Sequence, residues 1–494
     1  MQISLRDLMA SSGVAFGTSG ARGLATAMTD RVCYAYTQGF IQHLAVSGAL
    51  ARGAAVAVAG DFRPSTDRIM EAVFRAAEDA GYRAVNCGKT PSPAVALFGL
   101  EQKIPALMVT GSHIPDDRNG IKFNSPSGEI SKADEAGIAT QVVQVNAALF
   151  TADGWFVQKN SAPRPDADAA GKNYIARYLN VFAADALAGL RVGVYQHSAV
   201  GRDVLVEILR GLGATVTPLG RSEKFLPVDT EAIRPEDVQL ARGWAAGGSF
   251  DAIVSADGDS DRPLVSDERG EWLRGDVAGI LCTQFLCADS VSTPVSCNTA
   301  LEKTGWFHEV RRTRIGSPYV IAAMQDAAAA GAQTIVGYEA NGGFLLQSDV
   351  QVGDKVLRAL PTRDAVIVLL AVLLTAKRRG KTISALVAEL PARFTASDRL
   401  KDFPVAASCA LLAQFSTGDD AADRAALEKI LGNFCGRVAH VDRTDGVRVT
   451  FANEEIIHLR PSGNAPEFRC YTEAATDARA RELNQSVLAV LAGA

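Results

Sequence analysis

Three aspartates, Asp257, Asp259 and Asp261, alternate along the short segment SADGDSDRP. They follow DAIVSA, an apolar run that is typical of a buried β-strand. Three carboxylates on one short loop repel each other unless a hard divalent cation neutralises them, so the segment predicts a site for Mg²⁺ or a similar ion. A solvated acidic turn is the plainer alternative.

A calcium-binding EF-hand is a second alternative for this segment. Such a loop needs glycine at its sixth position, where this chain has Arg262 followed by Pro263, although Glu268 stands at the twelfth position. A strand precedes the loop, whereas an EF-hand needs a helix there. The pattern therefore favours a metal site at the end of a strand.

A serine could act as a nucleophile at the end of another strand. Ser112 lies in VTGSHIPDDRNGIKF, directly after the apolar strand PALMVT, and ligands of open α/β sheets gather at loops that follow strand ends. No GxSxG motif surrounds Ser112, so the nucleophile elbow of an acyl hydrolase is not supported. An ordinary hairpin connection, with Asn119-Gly120 as its turn, is the alternative.

The segment GYEANGGF also follows a strand and suits a sugar. Glu339 and Asn341 can accept and donate hydrogen bonds, and the glycines beside them allow close approach of a ligand. Neighbouring sugar hydroxyls would satisfy both side chains. Taken alone, the segment is an ordinary glycine-rich turn.

The segment LRPSGNAPEFRCY is rich in groups that bind phosphate. Guanidinium, hydroxyl and clustered backbone N–H groups together favour an anion. A single Arg-Ser-Gly turn would be weak support by itself. The predicted phosphate-binding residues are Arg460, Ser462, Gly463, Asn464 and Arg469.

The elements that must position these loops repeat along the chain. An order of strand, helix, glycine and strand is typical of parallel α/β layers, and its recurrence predicts three related α/β domains. After about residue 385 the pattern changes to hairpin strands with a final helix, which predicts a mainly antiparallel α+β domain. The three repeats begin at the strands AAVAVAG (54–60), RVGVYQHSAV (191–200) and TPVSCN (293–298).

Composition narrows the class of protein. The chain has 494 residues, a formal charge of −5 and no basic block, so nucleic acid is not an expected partner. Eight scattered cysteines without zinc-like spacing, and an N-terminus without an apolar signal segment, predict a reduced, cytoplasmic protein. The apolar run 365–376, bounded by Arg363-Asp364, is shorter than the ~20 residues of a membrane span, so it predicts a buried helix and no membrane partner.

Five motifs occur in the order found in the α-D-phosphohexomutase family, which the whole chain resembles. They are FGTSGARG (16–23), TGSHIPDDRNGIKF, DGDSDR, GYEANGGF and RPSGNAPEFRCYTEA. The resemblance implies an α/β fold, with three similar α/β domains and a C-terminal α+β domain of the TATA-box-binding-protein-like type around a central cleft. The expected domains are 1–150 with the phosphoserine loop, 151–265 with the metal loop, 266–380 with the sugar loop and 381–494 with the phosphate loop.

The resemblance implies that Ser112 carries a phosphoryl group and, with the three aspartates, holds one Mg²⁺ per chain. Arg22 is similar to the residue that neutralises the transferring phosphate. Lys122 is similar to a general acid/base, which would need a lowered pKa to accept a proton; a surface lysine on a strand is the alternative. His113 is expected to orient the phosphoserine, and Arg262 to contact the substrate or the carboxylates of the metal loop.

The implied reaction interconverts hexose 6-phosphates and 1-phosphates through a bound hexose 1,6-bisphosphate, which would also act as an activator. The GYEANGG form is most similar to phosphomannomutases. Phosphoglucomutase, dual phosphomannomutase/phosphoglucomutase and phosphoglucosamine mutase remain alternatives, because the substrates of these enzymes differ only at sugar C2. A monomer or weak homodimer is expected. DGDSDR could instead belong to a phosphatase with an aspartyl nucleophile, and a non-catalytic phosphosugar-binding protein is a third option.

Two positions depart from the family pattern. Some members have a histidine, proposed to move protons, where this chain has Gly343. Threonine is frequent where Asn464 stands, although an amide can still donate a hydrogen bond.

Overall fold

The computed structural model describes residues 1–17, 20–158, 164, 167–462 and 467–492. The chain forms two compact units: the first comprises Met1–Asp289 with Gly316–Leu386, and the second comprises Ser290–Ile315 with Val387–Ala494. Within the described ranges, no helix has the length and apolar character needed to cross a membrane. All eight cysteines are free thiols.

Residues 1–150 build a mixed sheet with helices on both faces. The sheet order is β2-β3-β7-β6-β4-β5, with β8 paired to β7, and β4 runs parallel to both β5 and β6. The elements are β1 (Gln2–Ser4), α1 (Leu5–Ser12), β2 (Ala15–Phe16), β3 (Ala21–Leu24), α2 (Asp30–Val46), β4 (Ala55–Gly60), α3 (Thr66–Asp79), β5 (Arg83–Lys89), α4 (Ser92–Gln102), β6 (Ala106–Val109), β7 (Arg118–Ser125), β8 (Gly128–Glu129), α5 (Lys132–Ala139), β9 (Val142–Gln144) and a 3₁₀ turn at Ala147–Leu149.

The alternation of side chains along β4 explains why this sheet is covered on both sides. Val56 and Val58 pack into one apolar cluster, whereas Ala57 and Ala59 pack into another on the opposite face. Successive strand residues point to opposite faces, so a continuous apolar run is needed where both faces are buried. This confirms the predicted α/β layering.

The predicted Asn119-Gly120 turn is wrong, because both residues lie inside strand β7. The Asn119 amide Nδ2 donates to Ser65 Oγ at 2.9 Å and is fully buried. A Cβ at Gly120 would lie 2.7 Å from the Ala21 carbonyl oxygen of β3. The glycine therefore permits close approach of two strands, and the turn lies earlier, between Val109 and Arg118.

The elements from Ala169 to Phe285 include a second α/β sheet in the first unit. Its order is β11-β10-β12-β13; β10 is parallel to β11 and β12, and β13 returns antiparallel to β12. The elements are α6 (Ala169–Leu179), β10 (Arg191–His197), α7 (Arg202–Gly211), β11 (Thr215–Arg221), α8 (Pro235–Ala245), β12 (Ala252–Ala256), β13 (Pro263–Val265) and α9 (Gly275–Phe285).

The third α/β stretch contributes to both units. In the second unit β14 (Ser290–Pro294), α10 (Ala300–Lys303) and β15 (Glu309–Thr313) include a parallel strand pair. The strand predicted at 293–298 begins and ends earlier. It ends at Pro294, where the Cys297 N–H donates to the Pro294 carbonyl at 3.0 Å and the chain turns. The first unit contains α11 (Ser317–Ala329), β16 (Ile335–Tyr338), β17 (Phe344–Leu346), β18 (Val350–Val352), β19 (Lys355–Leu357) and α12 (Ala365–Arg379), and α13 (Ile383–Val387) ends at the boundary.

Helix α12 confirms the predicted buried helix. Every residue from Ala365 to Ala376 is buried. The Asp364 side chain accepts the Val366 N–H at its start, and Gly380 ends it in the left-handed region with φ 60°. Caps of this kind satisfy backbone groups that an apolar helix leaves unpaired.

The rest of the second unit is an antiparallel sheet with helices, as predicted for the C-terminal region. The order is β20-β24-β23-β22-β21. Val447, Val449 and Phe451 alternate into its apolar core. The elements are β20 (Phe394–Leu400), α14 (Val405–Ala413), α15 (Asp420–Cys435), β21 (Val438–Asp442), β22 (Val447–Phe451), β23 (Ile456–Pro461), β24 (Phe468–Ala474) and α16 (Asp477–Ala492).

Candidate active site

Three of the predicted loops lie in equivalent hairpins of the first unit. The serine loop (110–117) joins antiparallel strands β6 and β7, the metal loop (257–262) joins β12 and β13, and the sugar loop (339–343) joins β16 and β17. The serine segment is thus both a hairpin connection and a strand-end loop. The two interpretations offered by the sequence do not exclude each other.

The Ser112 hydroxyl points at the metal loop. Its Oγ donates to Asp257 Oδ2 at 2.7 Å, and its side chain is fully buried. Ser112 has φ 57°, in the left-handed region, and its N–H donates to Thr110 Oγ1 at 2.8 Å. A non-glycine residue in this region costs about 1–3 kcal/mol and persists where the surroundings enforce it, as at many reactive sites.

Arg63 holds the serine loop in this conformation, and sequence reasoning missed it. Its guanidinium donates to the carbonyl oxygens of Ser112 and Ile114, both at 2.6 Å, and of Pro115 at 2.7 Å. Asp61 fixes the guanidinium by an ion pair of 3.1 Å. In the sequence, Arg63 is only one residue of a polar loop after strand β4. No sequence pattern links this loop to the serine loop about fifty positions later.

The three aspartates of the metal loop converge as predicted. All are buried, and one carboxylate oxygen of each lies within 4.8 Å of the others. Among the described residues, Asp259 Oδ1 and Asp261 Oδ1 are buried and accept no hydrogen bond. Converging oxygen ligands with unused acceptor capacity fit a hard divalent cation. The flanking elements are strands, as expected for a site that is not an EF-hand.

Lys122 of β7 enters this cluster. Its Nζ donates to Asp259 Oδ2 at 2.6 Å and also to Asp261. Ser92 Oγ donates to the same oxygen of Asp259 at 2.5 Å. Lys122 therefore lies on a strand, as the alternative of a surface lysine on a strand predicted. It is not a surface residue, however, because it is only 9% exposed and contacts the aspartate cluster.

Burial and mutual repulsion shape the protonation of the cluster. Burial, followed by the neighbouring Asp259 and Asp261, raises the pKa of Asp257 well above its ordinary value. Burial would also raise the pKa of Asp259, but the Lys122 ammonium outweighs it and lowers that pKa. Burial acts to lower the pKa of Lys122, yet the two aspartates outweigh it and raise that pKa. With these ion pairs formed, Lys122 does not have the lowered pKa that a proton acceptor needs.

Two arginines and a histidine border the same cluster. Arg262 Nη1 lies 2.8 Å from His113 Nδ1, and Ser112 Oγ lies 3.4 Å from that nitrogen. Burial, then the Arg262 charge, lowers the pKa of His113 to about 3, so its ring is neutral. Burial lowers the pKa of Arg22 to about 10, with Arg262 adding repulsion. A neutral ring beside Ser112 suits the orienting role expected for His113.

The sugar loop presents Glu339 and Asn341, both buried. Asn341 Oδ1 accepts the Gly343 N–H at 2.9 Å, which closes the turn. Glu339 Oε2 accepts from Arg363 Nε at 2.6 Å. Arg363 was seen in the sequence only as a charged residue before helix α12, so its place at this loop was not foreseen.

The structure describes three of the predicted phosphate-binding residues, Arg460, Ser462 and Arg469. They lie at one edge of the second unit's sheet, where strand β23 ends and strand β24 begins. Arg460 Nε is 3.4 Å from Asp445 Oδ1, and the Ser462 N–H donates to the Glu467 carbonyl at 2.8 Å. Gly463 and Asn464 lie outside the described residues. Arg469 Nη2 is 3.4 Å from Glu467 Oε2.

A row of arginines crosses three strands at this edge. Arg460 of β23 is paired with Arg469 of β24, which in turn is paired with Arg399 of β20. Like charges directly opposite each other are unfavourable, so an anion beside the row is favourable. The carboxylates of Glu467 and Asp445 already supply part of that negative charge, Glu467 Oε1 lying 3.0 Å from Arg399 Nε. Sequence reasoning missed Arg399, because only the strand register aligns it with the other two.

Domain families cover most of the chain. The phosphoglucomutase/phosphomannomutase α/β/α domains I, II and III match residues 13–148, 172–270 and 274–394, and the C-terminal domain of the same family matches 414–490. The four matches occur in the order that the motifs predicted.

Relatives align over nearly the full length. The phosphomannomutase of Salmonella muenchen is 45% identical over 98% of this chain and 96% of its own length, and that of Sinorhizobium fredii (strain NBRC 101917 / NGR234) is 44% identical over 97% and 99%. A phosphoglucomutase/phosphomannomutase family protein from Burkholderia thailandensis has the same fold, with a TM-score of 0.73 at 20% identity over 100% of this chain and 99% of that one.

Proposed function

Because this chain belongs to the phosphoglucomutase/phosphomannomutase family, we propose that it is a phosphomannomutase, which interconverts mannose 6-phosphate and mannose 1-phosphate. The observation that carries the proposal is the 2.7 Å hydrogen bond from Ser112 Oγ to Asp257, which brings a hydroxyl nucleophile to three convergent carboxylates. The two relatives named phosphomannomutase support the choice of sugar.

The proposed reaction consists of two phosphoryl transfers. In the first, the bond between phosphorus and Ser112 Oγ breaks, a bond to the free hydroxyl of a hexose monophosphate forms, and that hydroxyl loses its proton. In the second, Ser112 Oγ takes up the other phosphate of the bound 1,6-bisphosphate, the bond between that phosphorus and the sugar oxygen breaks, and the sugar oxygen regains a proton. Such transfers depend on positioning and on neutralising charge, which the buried cations around Ser112 can supply.

One Mg²⁺ per chain is the proposed cofactor, held by Asp257, Asp259, Asp261 and the phosphate on Ser112. When bound, it would neutralise phosphate charge and polarise the phosphorus. Arg22 is proposed to bind the transferring phosphate. Arg262 holds His113 beside the serine through the 2.8 Å contact and so limits the orientations of the nucleophile.

Lys122 is proposed to hold and release the proton of the reacting hydroxyl at Nζ. Its pKa is raised by Asp259 and Asp261, while burial acts in the opposite direction. Weakening these two ion pairs would therefore move the pKa towards that of a proton acceptor. Gly343 has no side chain that could share this task.

The phosphate that is not transferred is proposed to bind Arg460, Ser462, Gly463, Asn464 and Arg469. Arg460→Ala removes a charge-assisted contact of about 1.5–3 kcal/mol, which corresponds to a KM for the sugar phosphate roughly 10- to 150-fold higher. Steady-state titration of the variant measures this.

Arg424→Ala is a suitable control for Arg460→Ala, because it removes a partly exposed cation from helix α15 of the same domain. We expect its KM to equal that of the unmodified enzyme. A KM that stays unchanged in Arg460→Ala would contradict the proposed phosphate site.

A coupled assay with mannose, glucose and glucosamine phosphates, Mg²⁺ and the bisphosphate activator tests the function. We expect kcat/KM for mannose 1-phosphate to equal or exceed that for glucose 1-phosphate. A ratio of about 100 or more in favour of glucose, roughly 2.7 kcal/mol, would overturn the mannose assignment and favour a phosphoglucomutase.

The phosphoenzyme separates a mutase from a phosphatase. Trapping it with labelled bisphosphate and sequencing the labelled peptide should recover residues 109–123, which contain Ser112. Label on a peptide that spans 251–263 would instead identify an aspartyl nucleophile. Sedimentation of the same preparation would test the proposed monomer or weak homodimer.

A further inference from the structure

Arg363 is a deeply buried cation beside the sugar loop, with 2% of its side chain exposed. Its Nε donates to Glu339 Oε2 at 2.6 Å, and its Nη2 donates to Ser317 Oγ at 2.9 Å. Its Nη1 lies 3.8 Å from Asp261 Oδ2 of the metal loop. One planar guanidinium thus reaches the sugar loop and the metal loop together.

A third carboxylate completes this network. Glu129 Oε1 lies 4.0 Å from Arg363 Nη1 and accepts from Ser317 Oγ at 2.8 Å. The three acidic residues come from β8, the metal loop and the sugar loop, so they meet only in the folded unit. They outweigh the effect of burial and raise the pKa of Arg363, which keeps its charge fixed.

The backbone that carries Arg363 is held firmly. The next residue, Asp364, accepts from the Tyr174 hydroxyl at 2.6 Å and from the Tyr178 hydroxyl. Its own N–H donates to the Phe344 carbonyl at 2.9 Å, directly after the sugar loop. A long flexible side chain anchored in this way can act as a rigid spacer between loops.

Gly343 leaves the space that Arg363 fills. A Cβ at position 343 would lie 2.6 Å from Arg363 Cδ and 3.0 Å from Arg363 Cγ. No side chain at position 343 fits while Arg363 keeps this conformation. The missing side chain of the sugar loop and the buried arginine are therefore complementary.

Stability alone does not explain such an arrangement. Taking charges out of water is costly, and a buried ion pair is often no more stabilising than apolar groups of the same volume. An ion pair that fixes a ligand-binding carboxylate has a functional reason to be kept, because misplacement by about 1 Å can cost two orders of magnitude in rate.

We propose that Arg363 is a positioning residue of this site: it orients Glu339 towards the sugar and ties the sugar loop to the metal loop at Asp261. The proposal rests on the proposed function. It assigns sugar recognition to a pair of residues, of which only Glu339 would contact the substrate.

Arg363→Lys tests the proposal, since it keeps the charge and removes the planar fork. We expect kcat/KM for mannose 1-phosphate to fall 10- to 100-fold. In the Glu339→Ala background the same substitution should change kcat/KM less than 3-fold, because its effect passes through Glu339. Equal losses in both backgrounds would refute the positioning role.

Two further variants keep the test valid if Arg363→Lys is unstable. Gly343→Ala alters no charge but places a methyl group against Arg363 Cδ, so it should lower kcat/KM in the same direction. Gly243→Ala is its control, because a Cβ there meets nothing within 4 Å. Wild-type kinetics from Gly343→Ala would overturn the proposal.

Arg393→Lys is the matched control for loss of a buried arginine–glutamate pair. Arg393 Nε donates to Glu473 at 2.5 Å in the second unit. A lowered melting temperature with unchanged kcat/KM is expected for this control. An inactive wild type would refute the proposed function, whereas an active wild type with equal losses in both Glu339 backgrounds would refute only the role of Arg363.

Discussion

Ser112→Ala is expected to lose turnover by about 10⁴-fold or more, as enzymes do when the residue that carries the covalent intermediate is removed. Without Oγ no phosphoserine can form, and the remaining cations can only bind the substrate. The fold should persist, since Asp257 Oδ1 still accepts the Asp261 and Arg262 N–H groups. Coupled kinetics and intact-mass measurement after exposure to the bisphosphate check both the loss of turnover and the absence of phosphate.

Ser408→Ala provides the control for a buried serine. Ser408 is fully buried in helix α14, where its Oγ donates to the Pro404 carbonyl at 3.3 Å. Its activity should match that of the unmodified enzyme. Activity of Ser112→Ala within tenfold of wild type, or a phosphate still attached to that variant, would contradict the proposed phosphoserine mechanism.

Asp259→Asn is expected to lower kcat by about 10²–10³-fold, the range found when one preorganised electrostatic contact is removed from a catalytic site. The amide keeps the size of the side chain but loses the proposed anionic metal ligand and the ion pair with Lys122. The Mg²⁺ concentration for half-maximal activity should rise. Activity titrations across Mg²⁺ concentrations measure both effects.

Asp237→Asn separates the loss of a buried carboxylate from the loss of a metal ligand. Asp237 is fully buried and accepts from Arg234 and Tyr195 in the first unit. We expect a lower melting temperature and an unchanged Mg²⁺ requirement. If Asp259→Asn kept the wild-type Mg²⁺ requirement and kcat, the metal loop would have only a structural role.

The sequence predicts the metal cluster well because its ligands are local. Asp257, Asp259 and Asp261 lie within five consecutive positions after an apolar strand, so their carboxylates can converge without help from distant parts of the chain. Helix α12 is predictable for a similar reason, since a continuous apolar run with charged residues at its ends indicates a buried helix. These features depend on neighbours along the chain.

Arg63 and Arg363 could not be predicted in this way. Arg63 contacts carbonyl groups about fifty positions further along, and a backbone carbonyl carries no residue signature. Arg363 contacts carboxylates that come from separate strands and loops. The turn predicted at Asn119-Gly120 was wrong because a local pattern was overruled by a distant contact. The pair is common in turns, but here close packing against β3 decides its conformation.

The complete burial of Ser112 bears on a competition between sugar and water for the phosphoryl group. Water is always present in excess, and a phosphoserine open to solvent could lose its phosphate to hydrolysis. Each such loss would leave an empty serine that needs a new bisphosphate molecule before it could work again. If Ser112 carries the proposed phosphate, screening from bulk solvent favours transfer to the bound sugar over hydrolysis, so burial would raise the number of isomerisations that one phosphoserine completes.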